Sequence, residues 1–168
     1  NLIFVFLILG LFKSYAQVPL EVKIEPRPSS QGMQAAFEVI VPQATPDDAM
    51  KLWEKTITSG GLFSKSPKME KIKDEWIIKD IVIDEISPDT LNVYSQVSSF
   101  PGNIYVRIFL QNEDGFLGSP GTSEQAAGAA GSFIRNYAVE LYRQAVEKEL
   151  KDEENKLNSL EGDYNKMD

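Results

Sequence analysis

The sequence predicts an α+β domain. It reads as an antiparallel sheet of about five strands in the order ββα-βββ(β)-α, with two helices on one face and a C-terminal helix extended as a coiled-coil-like tail. Three observations carry this. Apolar–polar alternation, the period of a half-buried strand, clusters between Leu20 and Val41 and again between residues 68 and 112. Stretches with helical spacing bracket the second cluster, one from Thr45 to Gly60 and one from Thr122 onward. Strands grouped between helices, not alternating with them, indicate an antiparallel sheet. Finally, Thr122 to Asp168 holds no proline and, after Gly131, only Gly162 as a glycine. As one helix it would run roughly 70 Å at about 1.5 Å per residue, well beyond what its own sheet needs.

The first segment stands apart. Leu2 to Phe12 is an apolar run too short for a membrane-spanning helix, which needs about 20 such residues. Ser14-Tyr15-Ala16 follows, with the small first and third residues of a signal-peptidase site. Residues 1–16 therefore read as a signal peptide lacking its basic n-region, and Gln17 as the mature N-terminus. The apolar run ending in Ala-Gln resembles export signals of Gram-negative bacteria, which implies a periplasmic or extracellular location. The chain contains no cysteine, which excludes acylation at a lipobox and disulfides.

The elements follow in order. Leu20, Val22 and Ile24 alternate with Glu21, Lys23 and Glu25 as a short strand. Pro26 to Gly32 reads as a loop, and Met33 to Val41 as a second strand ending at Pro42. Thr45-Pro46-Asp47-Asp48 is a helix start, with an N-cap threonine, proline at the first helical position and acids in the first turn. Ala49, Leu52, Trp53, Thr56 and Ile57 share one face, and Gly60-Gly61 ends the helix. Met69–Lys73, Trp76–Ile86, Leu91–Ser99 and Ile104–Leu110 are strands, divided by turns at Ser87-Pro88-Asp89 and Phe100-Pro101-Gly102-Asn103. This order resembles TATA-binding-protein-like and helix-grip folds, a likeness of architecture that implies no function.

The long helix opens with a Thr122–Gln125 capping box. Ala126 to Gly131 are small on every side, and Gly128 and Gly131 suggest close approach to a backbone neighbour, the sheet. Phe133, Ile134, Tyr137, Ala138, Leu141 and Ala145 form a core stripe that closes the domain at residue 145. From residue 146 the period changes. Val146, Leu150, Leu157, Leu160, Tyr164 and Met167 fit a and d positions, with Glu153 interrupting one d position. Residues 146–168 thus read as a projecting tail that pairs with a second copy or an envelope partner.

Composition excludes much chemistry. The chain carries 17 basic and 25 acidic residues, a net charge of −8. Without residues 1–16, which include Lys13, it is 16 against 25, or −9. Such an acidic surface argues against nucleic acid and anionic lipid as partners, and after signal cleavage no membrane-spanning stretch is left. There is no histidine, so no histidine base and, with no cysteine, neither a zinc site of the usual kind nor a bound cofactor is expected. Asp80 and Asp84, on one strand, would share a face about 13 Å apart, too far for a paired acid and base. Asn112-Glu113-Asp114-Gly115 lacks the spacing of a calcium loop and reads as a turn. The glycine-rich approach to the long helix, Gly115 to Ser123, has no P-loop lysine. No S-x-x-K or G-x-S-x-G pattern occurs.

Two functions fit. One is a non-catalytic envelope protein that docks through its tail. The other is a binding protein holding an apolar ligand between the sheet and the long helix. They differ in whether Ala126 to Gly131 lets the helix lie flat or lines a hollow larger than about 300 Å³. The export reading makes its own prediction: mass spectrometry of the exported protein finds Gln17, or its pyroglutamate, at the N-terminus. A mature protein that keeps Leu2 to Phe12 refutes it.

Overall fold

The computed structural model describes residues 20–58 and 68–166. The expectations placed on residues 1–16, on Gly60-Gly61 and on Met167 lie outside the described residues. The elements are β1 (Lys23–Ser29), β2 (Gly32–Pro42), α1 (Pro46–Thr58), β3 (Glu70–Ile72), β4 (Glu75–Ile83), β5 (Ser87–Phe100), β6 (Asn103–Asn112), β7 (Gly115–Phe116) and α2 (Glu124–Tyr164). The sheet is antiparallel throughout and seven-stranded, in the order β1-β2-β6-β5-β4-β3, with β7 on β6. The α+β class and the extended C-terminal helix hold, and the strand count is higher than about five.

Three differences have physical reasons. Pro26 and Pro28 lie inside β1, not in a loop, paired with Ala35 and Met33. β1 is the edge strand, where a proline need not donate to the ladder. Two-residue β7 was not foreseen because its only pattern is the turn before it. The Asp114 N–H donates to Asn112 Oδ1 at 3.1 Å, and the chain doubles back along β6 where the β2–β6 pairing has ended at Phe37. Asp80 and Asp84 do not share a strand face. Asp80 has φ of 55° at an irregularity between Ile78 and Ile81, and Asp84 lies past the end of β4.

The main core lies between one face of the sheet and both helices. Phe37, Val39, Leu91, Val93, Val106, Ile108 and Leu110 meet Ala49, Trp53 and Ile57 of α1 and Ala130, Ile134, Ala138 and Leu141 of α2. Trp53 ties the layers together. Its indole N–H donates to buried Ser95 Oγ of β5 at 2.9 Å. Its ring meets Tyr137 edge-on, with centroids 5.0 Å apart. The Tyr137 hydroxyl donates to the Ala49 carbonyl at 2.8 Å, joining α2 to α1. Burial pushes the Tyr137 phenol up, so it remains a donor at any ordinary pH.

The opposite sheet face carries a smaller core of Ala36, Tyr94, Phe109 and Phe116. It is buried because the sheet curls. Gln96 Nε2 donates to the Pro28 carbonyl at 3.0 Å and to Glu75 Oε1 at 3.1 Å. The tip of the β1–β2 hairpin thereby reaches β4, four places away in the strand order. Beside this core, Glu38 accepts from Arg27 Nε at 3.1 Å, Arg27 Nη2 at 2.9 Å and Arg107 Nε at 2.5 Å. Arg27 also pairs with Glu25. Burial alone would raise the Glu38 carboxyl, but the hydrogen bonds and charges of Arg27 and Arg107 outweigh it and hold it below its usual value of 4.5. A group depressed in the folded state contributes stability above its unfolded pKa and loses it as pH falls through the folded value. Glu38→Gln should therefore melt below the parent at pH 7, with the gap narrowing as the pH falls below 4.5. A gap independent of pH refutes this.

Candidate functional site

α2 has 41 residues, so at about 1.5 Å per residue it runs roughly 60 Å. Its N-cap is Ser123, whose Oγ accepts from the Ala126 N–H at 3.1 Å. The expected cap, Thr122, instead donates its hydroxyl to the Ser119 carbonyl at 2.8 Å. The buried side of the first half is Ala127, Ala130, Ile134, Tyr137, Ala138 and Leu141. Among the described residues, the last ion pair between the helix and the domain is Lys148 Nζ to Asp48 Oδ2 at 3.3 Å. From Glu149 to Tyr164 the helix continues for about 24 Å beyond it.

Gly128 and Gly131 do not face the sheet. Among the described residues, a Cβ at either position would meet nothing within 4 Å. They turn outward and line an open groove of about 570 Å³ with Leu20, Glu21, Val22, Ser132 and Arg135. The small residues that the helix buries against the core are alanines instead, Ala127, Ala130 and Ala138. The glycine that does need its missing side chain is Gly118, before the helix. Its φ is +89° and a Cβ there would stand 2.8 Å from Ile24 Cγ2. Sequence spacing could not distinguish these roles, because glycine carries no periodic signal of its own.

The helix lies flat on the sheet. A hollow wide enough for water leaves accessible area on its lining, yet Phe37, Val39, Ala130, Ile134, Ala138 and Leu141 are 0–1% exposed. The ligand-binding expectation requires a hollow at this interface, and among the described residues these six side chains line none.

The tail is different. Val146, Leu150, Leu157, Leu160 and Tyr164 are 38–68% exposed. The stripe starts earlier than the heptad reading placed it, because Val139 and Tyr142 are also exposed and lie in line with it. At 100° per residue the stripe is centred roughly 130° around the helix from the side that faces the sheet. It therefore begins beside the domain and runs without a break in direction to the end of the described helix. Glu153 sits in it, paired with Lys156 at 2.5 Å.

Among the described residues no group of three acidic side chains is placed to hold a metal. No described helix is long and apolar enough to cross a membrane. Among the described residues, the buried carboxylate oxygen Glu75 Oε2 has no hydrogen-bond partner, while Oε1 accepts from Ser30 N and Gln96.

The fold and site define a curled α+β domain that presents one long, one-sided apolar helix. No protein-family model, curated protein or solved structure matches this chain.

The glycine assignments predict opposite signs. Gly131→Ala should stabilise the domain by about 0.5–1 kcal/mol, since alanine loses less backbone entropy in a helix. Gly118→Ala should cost about 1–3 kcal/mol through its positive φ and the clash with Ile24. Denaturant unfolding of both variants measures this, and effects of the same sign overturn the assignment.

Proposed function

We propose that this chain is a non-catalytic envelope protein, exported to the periplasm or cell exterior of a Gram-negative bacterium, whose domain holds out a helix for docking. The observation that carries the reading is the exposed stripe from Val139 to Tyr164 on a helix that outruns its domain. A leucine left in water gains nothing, while full burial is worth about 1.5–3 kcal/mol. A solitary solvated helix has no physical use for apolar residues held to one side over this length. Ion pairs within the tail support the helix without covering the stripe. Arg143 bridges Glu140 and Glu147, each about one turn from it, and such exposed pairs contribute little. Export is supported by the apolar run Leu2 to Phe12 and by Ser14-Tyr15-Ala16.

Photocrosslinking in the producing cell tests the docking. A crosslinker at Leu157, on the stripe, should give a discrete adduct, and one at Asn155, on the far side of the helix, should not. Equal yields from both positions, or none from either, defeat the reading.

A further inference from the structure

We propose that the occupant of the α2 stripe is a basic amphipathic helix of a different protein, and not a second copy of this chain. This rests on the docking reading above and adds the chemistry of the partner. With Val146 at d and Leu150 at a, the e positions are Glu140, Glu147, Glu154 and Glu161, an unbroken ladder of glutamates along one margin of the stripe. The g positions on the other margin are Tyr142, Glu149, Lys156 and Asp163. Most lysines of the tail, Lys148, Lys151 and Lys166, fall on f, b and c positions that face away. Residues 146–166 hold seven acids against four lysines, a net charge of −3.

The upper glutamates are already engaged. Glu140 accepts from Arg143 Nε at 2.9 Å, and Arg143 also pairs with Glu147. The Arg143 and Gln144 hydrogen bonds hold the Glu140 carboxyl down to about 2, so it stays charged in any physiological compartment. Glu154 and Glu161 make no salt bridge with the described residues. They are free to meet a cation on an arriving helix.

A second copy fits poorly in either direction. In a parallel pair Glu153 at d would stand opposite itself, and Glu149 at g would face Glu154 at e of the other copy. Only Lys156 against Glu161 would attract. In an antiparallel pair the e margins face each other, and glutamate meets glutamate along the whole ladder. Like charges in register cost what opposite charges would have gained. A partner helix with Lys or Arg opposite the ladder, and one opposite Glu153, satisfies the margin and the interrupted core position together.

The test uses the full mature chain and two labelled peptides of four heptads, each with leucine at a and d. The first carries lysine at e and g and opposite Glu153, and the second carries glutamate there. Fluorescence anisotropy should show the basic peptide bound at least about tenfold more tightly, with the preference weakening as salt rises. The triple variant Glu147→Lys, Glu154→Lys, Glu161→Lys should reverse the preference, and Leu157→Ser should weaken binding of the favoured peptide. Equal binding of both peptides overturns the charge inference while docking stands. A dimer in sedimentation that vanishes in a chain ending at Gln144 assigns the stripe to a second copy and overturns it. Binding to zwitterionic vesicles that Leu157→Ser abolishes assigns it to a lipid surface, with the same consequence. If neither peptide binds and Leu157→Ser behaves as the parent in every assay, the docking reading itself is wrong.

Discussion

Trp53 is the joint on which the two helices and the sheet depend. Its indole N–H is held by Ser95 on β5, and its ring by Tyr137 on α2. Tyr137 in turn donates to the backbone of α1. An indole N–H or a phenol hydroxyl buried without a partner costs about 1–3 kcal/mol, so each of these bonds specifies one relative placement of three elements. Area burial alone would let the helices slide on the sheet, since apolar attraction has no direction. The polar links remove that freedom. With α2 pinned at Tyr137, the rotation of the whole helix is set, and so is the direction in which its apolar stripe points.

The opposite sheet face solves a different problem. A seven-stranded sheet covered by two helices leaves its other side to water. Here the β1–β2 hairpin curls until its tip meets Gln96 and Glu75, which buries Ala36, Tyr94 and Phe109 without a second layer of helices. Glu38 is drawn into this fold of the sheet and kept charged by Arg27 and Arg107. A half-buried carboxylate between two guanidiniums is tolerable where a lone one would not be. At Gly118 the chain leaving β7 passes tightly against Ile24 and Ala35 of the hairpin, on the face that carries Phe37 and the main core.

Among the described residues, the helix beyond Lys148 makes no ion pair or side-chain hydrogen bond with the domain. Its persistence comes from continuity with a packed helix, which removes the cost of nucleation, and from short-range pairs such as Lys156 with Glu153. The stripe adds nothing to the helix by itself. Its contribution is realised only when something covers it.

Most elements can be read from local pattern. Alternation marked most of the strands, the Thr45-Pro46-Asp47-Asp48 start marked α1, and the absence of proline marked the length of α2. The stripe residues were also legible, because spacing of three and four needs no knowledge of the fold. Which side of each element faces what was settled by long-range packing. Gly128 and Gly131 looked like packing glycines and are open, while Ala130 and Ala138 are the small residues buried in the core. Pro26 and Pro28 looked like a loop and form an edge strand. Val139 and Tyr142 lie before the change of period at residue 146 and are the beginning of the exposed stripe. In each case the residue type permits two environments, and the choice lies in the rotation of a helix or the position of a strand within the sheet. Those are set by long-range contacts such as Trp53 with Ser95, which join residues 42 apart in the chain and leave no periodic trace in it.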